Sequence, residues 1–201
     1  EIAQCLVGSE MCIRDSLQTK SNGLIDEFIS YAKQNGGSLK ISYQDEHLKS
    51  IMGMMITIQT VWHIVKQIGS NFDIEFKVEA YRDDKGNANK ICTNMPSSEV
   101  RDKWLTNFTN AWIDDLKYDQ NIEGHLLTVV SVPKRTLTHW RVLSITCGNK
   151  KLSIYPDGGF INEWNIARQP NGERFEVETI TYDTKIYLYR NKDIKFDIAI
   201  E

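Results

Sequence analysis

The sequence predicts an α/β (α+β) domain in which a mixed β-sheet is flanked by two long helices and followed by a β-rich second half. Two observations support this prediction. Helical and strand-like periodicities alternate over residues 24–117, whereas after Gly124 apolar residues recur with period two almost to the end of the chain. A β-α-β order followed by a series of strands is typical of layered α/β architectures.

The first 16 residues differ from the rest of the chain. The chain begins at Glu1 rather than Met, and the stretch CLVGSEMCIRDS has neither helical nor strand periodicity. It lacks the basic, apolar and small-residue parts of a signal peptide, and it is similar to translated sequencing-adapter peptides at the ends of assembled reading frames. We therefore expect residues 1–16 to be an artefact or disordered. Residues 17–201 are then one domain of a metagenomic fragment, the C-terminal piece of a larger protein.

The remaining 185 residues suit one domain with a full core. They carry 23 basic and 24 acidic side chains, so their net charge favours no class of partner. Cys92 and Cys147 match no zinc-ligand spacing, and so few cysteines are typical of a reducing compartment. No apolar run is long enough to span a membrane. We expect a cytoplasmic protein with no cofactor and no bound metal.

The first half of the chain predicts helices separated by strands. The stretch LIDEFISYAKQN has an apolar face at helical spacing, and Gly36-Gly37 ends it. A strand over residues 38–43 follows. Asp45 then stands where it can cap a long helix over about 46–68, whose broad apolar stripe predicts deep burial.

A second strand and helix follow the same pattern. Residues 72–82 alternate apolar and polar side chains, so the apolar positions from Phe72 to Ala80 are predicted to share a buried face. Ser97 or Ser98 can cap a helix over about 98–117. The residues expected on its buried face are Val100, Trp104, Phe108 and Trp112.

Beyond Gly124, period-two segments predict an antiparallel sheet. Turn-forming pairs separate them, and we expect Gly148-Asn149 and Gly158-Gly159 to lie at tight connections. The predicted strands are HLLTVVSV, TLTHWRVLSIT, KKLSIYP, RFEVETI, KIYLYR and IKFDIAI.

The sharpest candidate site is the H-x-R of THWR. On the predicted strand, His139 and Arg141 point to the same face, about 7 Å apart along the backbone. An imidazole can attack phosphorus or transfer a proton, and a guanidinium can hold two phosphate oxygens. Residues 125–155 contain basic side chains but no Asp or Glu. We therefore expect His139 and Arg141 to be catalytic, and the phosphate-binding residues to be Arg141, Lys134, Arg135, Lys150 and Lys151.

Two alternatives remain open at this stage. Asp45 followed by Glu75 and Lys77 on the next strand has the pattern of a metal-dependent nuclease, in which carboxylates hold Mg²⁺ and a lysine assists the attacked phosphate. The second alternative is a non-catalytic interaction or dimerisation module in which His139 and Arg141 are structural. In the leading interpretation, the residues that shape the rim of the site are Asp45, Gly158 and Gly159.

The order of these features resembles the phospholipase D-like domain at the C-terminus of microtubule-interacting-and-transport (MIT) proteins and its often defence-associated prokaryotic relatives. The matching segments, over about residues 38–190, are SYQDEHLKS, FDIEFKVEAY, TLTHWRVL, SIYPDGGFINEW and TYDTKIYLYR.

The resemblance implies phosphodiester binding, and a homodimer for any turnover. Nucleic acid is favoured over membrane phospholipid because the sequence has no basic amphipathic helix with exposed bulky apolar residues. Active phospholipase D enzymes have a motif of the form H-x-K-x-x-x-x-D. Here Arg141 replaces the lysine and Thr146 occupies the aspartate position, which predicts degenerate catalysis.

Overall fold

The chain forms a β-α-β-α-β unit followed by further strands, as its periodicities predict. The computed structural model describes residues 21–48, 51–80, 97–133, 135–137, 141–156, 164–166, 188–190 and 196–201. Its helices and strands, in chain order, are α1 (Leu24–Asn35), β1 (Leu39–Asp45), α2 (Ile51–Ile68), β2 (Phe72–Glu79), α3 (Ser98–Gln120), β3 (Gly124–Val132), β4 (Val142–Cys147), β5 (Lys150–Pro156), β6 (Trp164–Ile166), β7 (Leu188–Arg190) and β8 (Phe196–Ile200).

Six strands form one mixed sheet in the order β3-β2-β1-β4-β5-β8, and β6 pairs with β7 in a separate two-stranded sheet. Strands β1, β2 and β3 run parallel, whereas β4 is antiparallel to β1. The β4–β5 and β5–β8 pairings are antiparallel, as predicted. Gly148, with φ of 58°, lies in the tight β4–β5 turn, where glycine avoids the cost of a left-handed backbone. The mixed α/β architecture is therefore confirmed.

Helices α2 and α3 lie on one face of this sheet. Both belong to crossovers that step in the same direction, and right-handed crossovers of this kind place their helices on the same side. The burial pattern of β1 is consistent with helices on one face, because Leu39, Ile41 and Tyr43 are buried. Lys40 and Ser42, which alternate with them, are exposed. Helix α1 packs beside α2 and contacts β5 and β8.

Helix α2 is the centre of the core. Its predicted deep burial is confirmed, and even Thr57, Gln59 and Thr60 are buried. The sheet lies on one side, and β6 contacts the helix as well, so α2 has neighbours in more than one layer. None of the helices in the described ranges is long and apolar enough to cross a membrane.

Three local predictions are corrected by the structure. Asp45 does not cap α2, because it is the last residue of β1 and α2 begins at Ile51. Strand β4 begins at Val142, so Arg141 precedes it. On α3, the cap is Ser97 as predicted, and Phe108 and Trp112 are buried as predicted. At the start of the helix the prediction is wrong, because Val100 is 39% exposed and Arg101 is fully buried.

Several predictions lie outside the described residues. His139 and Lys134 are among these, as are Gly158-Gly159 and the segment RFEVETI. Of the predicted strand KIYLYR, the described part is β7. Strand β6 was not predicted.

Candidate site at the carboxyl edge of the parallel strands

Polar residues gather where β1, β2 and β3 end. Asp45, Glu79 and Ser131 lie at or next to the carboxyl ends of these three parallel strands, which meet at one edge of the sheet. Strand β1 has a parallel neighbour on one side and antiparallel β4 on the other. The chain adds β2 and β3 on one side of β1 and then β4 and β5 on the other, so the strand order reverses at β1. Open α/β sheets bind ligands at such edges, and this carboxyl edge is therefore the candidate site.

Asp45 is a buried carboxylate that three internal donors occupy. Its side chain is 6% exposed. Oδ2 accepts a hydrogen bond from the Tyr43 hydroxyl at 2.8 Å, and Oδ1 accepts from the His47 amide at 2.7 Å and from Arg141 Nε at 3.2 Å. The carboxylate thus ties the end of β1 to the residue that precedes β4. A buried charge is stable only when it is paired and hydrogen-bonded in this way.

The Tyr43 phenol is a donor in this network. Burial, followed by the negative charge of Asp45, raises its pKa well above the ordinary value. The hydroxyl therefore keeps its proton, and with it the hydrogen bond to Asp45, throughout the neutral range.

Arg101 connects the loop after β1 with the ends of β2 and β3. It lies in the first turn of α3 and is fully buried. Its Nη1 donates to the carbonyl of Glu79 at 2.7 Å and to that of Leu48 at 3.3 Å, and its Nη2 donates to Ser131 Oγ at 3.2 Å. Its Nε pairs with Asp102 at 2.7 Å. One guanidinium therefore holds α3 against the loop after β1 and the ends of β2 and β3.

Glu79 holds the connection between β3 and β4. Its Oε1 accepts from the Leu137 amide at 3.2 Å. The pKa of this carboxyl is lowered, first by a hydrogen bond from the Arg135 amide, then by the amides of Leu137 and Thr136, and also by nearby His47. Backbone amides that favour the ionised form in this way attach the carboxylate to the connection between β3 and β4.

Two described residues at this edge have exposed charged or ionisable side chains. His47 is 55% exposed and its Nε2 lies 3.1 Å from Glu46 Oε1. Arg135 is exposed, and its φ of 67° lies in the left-handed region. The described residues contain no group of three or more His, Cys, Asp or Glu side chains that could hold a metal ion. The edge can therefore present an imidazole and a guanidinium, while its buried carboxylates are already engaged.

The arrangement predicted for a metal-dependent nuclease does not form. Asp45 shares the buried, helix-covered face of β1 with Ile41 and Tyr43. Glu75 alternates with the buried residues of β2 and pairs across the sheet with exposed Ser42, so it lies on the opposite face. Its charged neighbour is Lys77, at 3.7 Å. Carboxylates on opposite faces of a sheet cannot share one ion.

The predicted phosphate-binding patch is largely neutralised within the protein. Lys150 pairs with Glu27 at 2.8 Å, Lys151 pairs with Glu201 at 2.7 Å, and Arg141 pairs with Asp45. Each acidic partner comes from outside residues 125–155, so the local absence of Asp and Glu did not predict a free positive surface.

Arg101 and Glu79 were missed by the sequence analysis, although each leaves a signal. Arg101 is in register with the buried residues Leu105, Phe108 and Trp112 at helical spacing, so it is a charge within an apolar stripe. Glu79 ends a strand that precedes a helix, where α/β domains build sites. A buried charge at such a position needs hydrogen-bonding partners, and the partners of Arg101 and Glu79 lie at the carboxyl edge.

Comparison with known proteins gave one finding. Residues 11–195 match the family model described as the C-terminal domain of DEAD/DEAH box helicase YjiV. No curated protein and no solved structure matched the chain.

This match corrects the resemblance to phospholipase D-like domains of MIT proteins. That assignment, the phospholipase D-like function derived from it and the link to defence were wrong, because each motif was short and the H-x-R pair depended on a strand. Arg141 precedes β4 and binds Asp45 instead. The homodimer and the phospholipid partner have no support. The single model spans most of the sequence, and the chain therefore belongs to the family of C-terminal domains of the DEAD/DEAH box helicase YjiV.

Proposed function

We propose that this domain serves a DEAD/DEAH-box helicase as an accessory domain that contacts nucleic acid beside the part of the enzyme that consumes ATP. The observation that carries the proposal is the family match over residues 11–195. Helicases separate nucleic-acid strands, so a domain attached to such an enzyme works next to those strands.

Two features favour an accessory role over a catalytic one for these residues. The sequence contains no G-x-x-x-x-G-K-[ST] string, the loop whose amides and lysine hold the phosphates of ATP. In addition, Asp45 and Glu79 are held by the protein's own donors. A carboxylate engaged in this way orders its surroundings and is not free to act as a general base.

The proposed contact is electrostatic and local. The chain has a formal net charge of −3, so attraction to a polyanion must come from particular exposed cations rather than from the whole surface. A domain that neutralises only one to three phosphates should show a shallow salt dependence, with a slope of about −1 to −2 in a plot of log K against log salt for single strands.

The test is the binding of a short fluorescent single strand, as RNA and as DNA of one sequence, measured by anisotropy between about 50 and 200 mM salt. We expect saturable binding that weakens with salt. The matched control is a strand of the same bases on an uncharged backbone, which should not bind. If neither charged strand binds at the lowest salt, the domain serves its helicase in another way and the proposal is wrong.

A further inference from the structure

The connection between β3 and β4 carries an arginine on an unusual backbone. Arg135 has a φ of 67°, in a region that residues with a Cβ seldom adopt. The amide of Thr136 donates to the carbonyl of Pro133 at 3.2 Å, which closes the turn around it. Such conformations persist only where the surroundings hold them, and they concentrate at functional positions.

The Glu79 side chain holds this turn in place. Its Oε1 accepts from the Leu137 amide at 3.2 Å, and the Arg135 and Thr136 amides contribute to the lowered pKa of this carboxyl. Glu79 itself is 6% exposed, and its backbone carbonyl is fixed by buried Arg101. The turn is thus attached to the end of β2 through a side chain that has little freedom to move.

The charges at this edge leave Arg135 without a counter-ion among the described residues. The acidic groups there have partners of their own: Asp45 binds Arg141, Glu46 binds His47, and Asp102 binds Arg101. Glu79 accepts a hydrogen bond from the Leu137 amide. The Arg135 side chain is exposed, and no ion pair joins it to another residue in the described ranges.

We propose that Arg135 contacts the phosphate backbone of the nucleic acid without reading its bases, and that Glu79 is the positioning residue that holds Arg135 in place for this contact. This inference rests on the proposed function. Arginine suits the role because its planar fork can hold two phosphate oxygens at once, and a pre-ordered turn reduces the entropy lost on binding.

The experiment uses the same anisotropy assay with Arg135→Asn, Glu79→Gln and the double variant. Asparagine tolerates the left-handed backbone, so the first change removes the charge without forcing the turn to rearrange. We expect it to weaken binding about tenfold or more and to reduce the magnitude of the salt slope by about one contact. Glu79→Gln should also weaken binding, but it should add no further loss in the Arg135→Asn background, because Glu79 acts through Arg135.

Two further variants complete the design. Lys117→Asn removes an exposed cation near the far end of α3 and should bind as the unchanged protein does. Arg135→Lys leaves Glu79 intact and keeps the charge, so it should show intermediate affinity with the original salt slope. Urea unfolding measures the stability of each variant. If Glu79→Gln lowers stability, Arg135→Lys still tests the role of the Arg135 side chain.

The outcomes separate the two proposals. If the unchanged protein binds neither strand, the proposed function fails. If it binds but Arg135→Asn binds equally well, the inference is overturned while the function stands. If the losses from Glu79→Gln and Arg135→Asn add in the double variant, Glu79 does not act through Arg135 and its positioning role is refuted.

Discussion

The two halves of the sheet hold their charges in different ways. At the carboxyl edge of the parallel half, β1 to β3, Asp45 and Glu79 are buried together with Arg101 of α3. Asp45 and Arg101 each bind several groups. In the antiparallel half, Lys150 and Lys151 of β5 form single ion pairs at the surface. Water screens the surface pairs much more than the buried groups. Removing a charge at the carboxyl edge should therefore change the free energy of unfolding far more than removing a charge from β5.

The largest effect on stability is expected at Arg101. Arg101→Leu removes the donor to two buried carbonyls, to the Ser131 hydroxyl and to Asp102. The free energy of unfolding should fall by about 3 kcal/mol or more, as when one partner of a buried charged network is lost. Urea unfolding followed by circular dichroism measures the change.

Arg101→Lys is the matched control for that prediction. A lysine keeps the charge but cannot reach acceptors in several directions as a planar fork does, so it should recover only part of the loss. A fall below about 1 kcal/mol for Arg101→Leu would show that the acceptors are easily satisfied by water, and the contrast between the two halves would disappear.

An intermediate effect is expected at Glu79 when the pH falls. Its pKa is lowered in the folded protein, first by the hydrogen bond from the Arg135 amide, so the folded state favours the ionised carboxylate. The stabilisation it provides is therefore complete above the ordinary glutamate pKa of about 4.3, and it is lost as the pH falls through the lower folded value.

The measurement compares the free energy of unfolding of the unchanged protein with that of Glu79→Gln across this window. Their difference should be constant near neutral pH and should shrink as the solution becomes more acidic than about pH 4.3. A difference that stays constant into acid would mean that Glu79 does not hold the turn through its charge.

The smallest effect is expected in the antiparallel half. Lys151→Ala removes the pair with Glu201, in which both side chains are substantially exposed. Backbone hydrogen bonds between Lys151 and Glu201 remain, so β8 stays paired. The free energy of unfolding should change by less than about 0.5 kcal/mol, and added salt should reduce even that. A loss above about 1 kcal/mol would place this pair in the same class as the buried ones.

Local periodicity was enough to predict most of the described elements. The apolar stripe of α2, the alternation in β2 and the β4–β5 turn at Gly148 depend on residues close in sequence, and each was found. The start of α2 was misplaced, because Asp45 has the chemistry of a helix cap but instead binds Tyr43, His47 and Arg141.

The site depended on pairings that local patterns do not contain. Nothing in the stretch around Lys150 reveals that Glu27 lies beside it, and nothing near Arg141 points to Asp45. The exclusively positive charge of residues 125–155 was correct as composition, but it did not predict a free positive surface. Arg101 shows the reverse: it lies at helical spacing with buried apolar residues, but no prediction placed it on the buried face.

The position of β1 has a consequence for how the chain folds during synthesis. Strand β1 forms early in the sequence but lies between β2 and β4, and its Asp45 is 96 residues from Arg141. A ribosome releases the chain from the N-terminal end, so one flank of β1 has no neighbour until β4 emerges. Contacts this distant in sequence slow folding because a long loop must close first. The Asp45–Arg141 pair can therefore form only late, after the parallel half of the sheet has been synthesised.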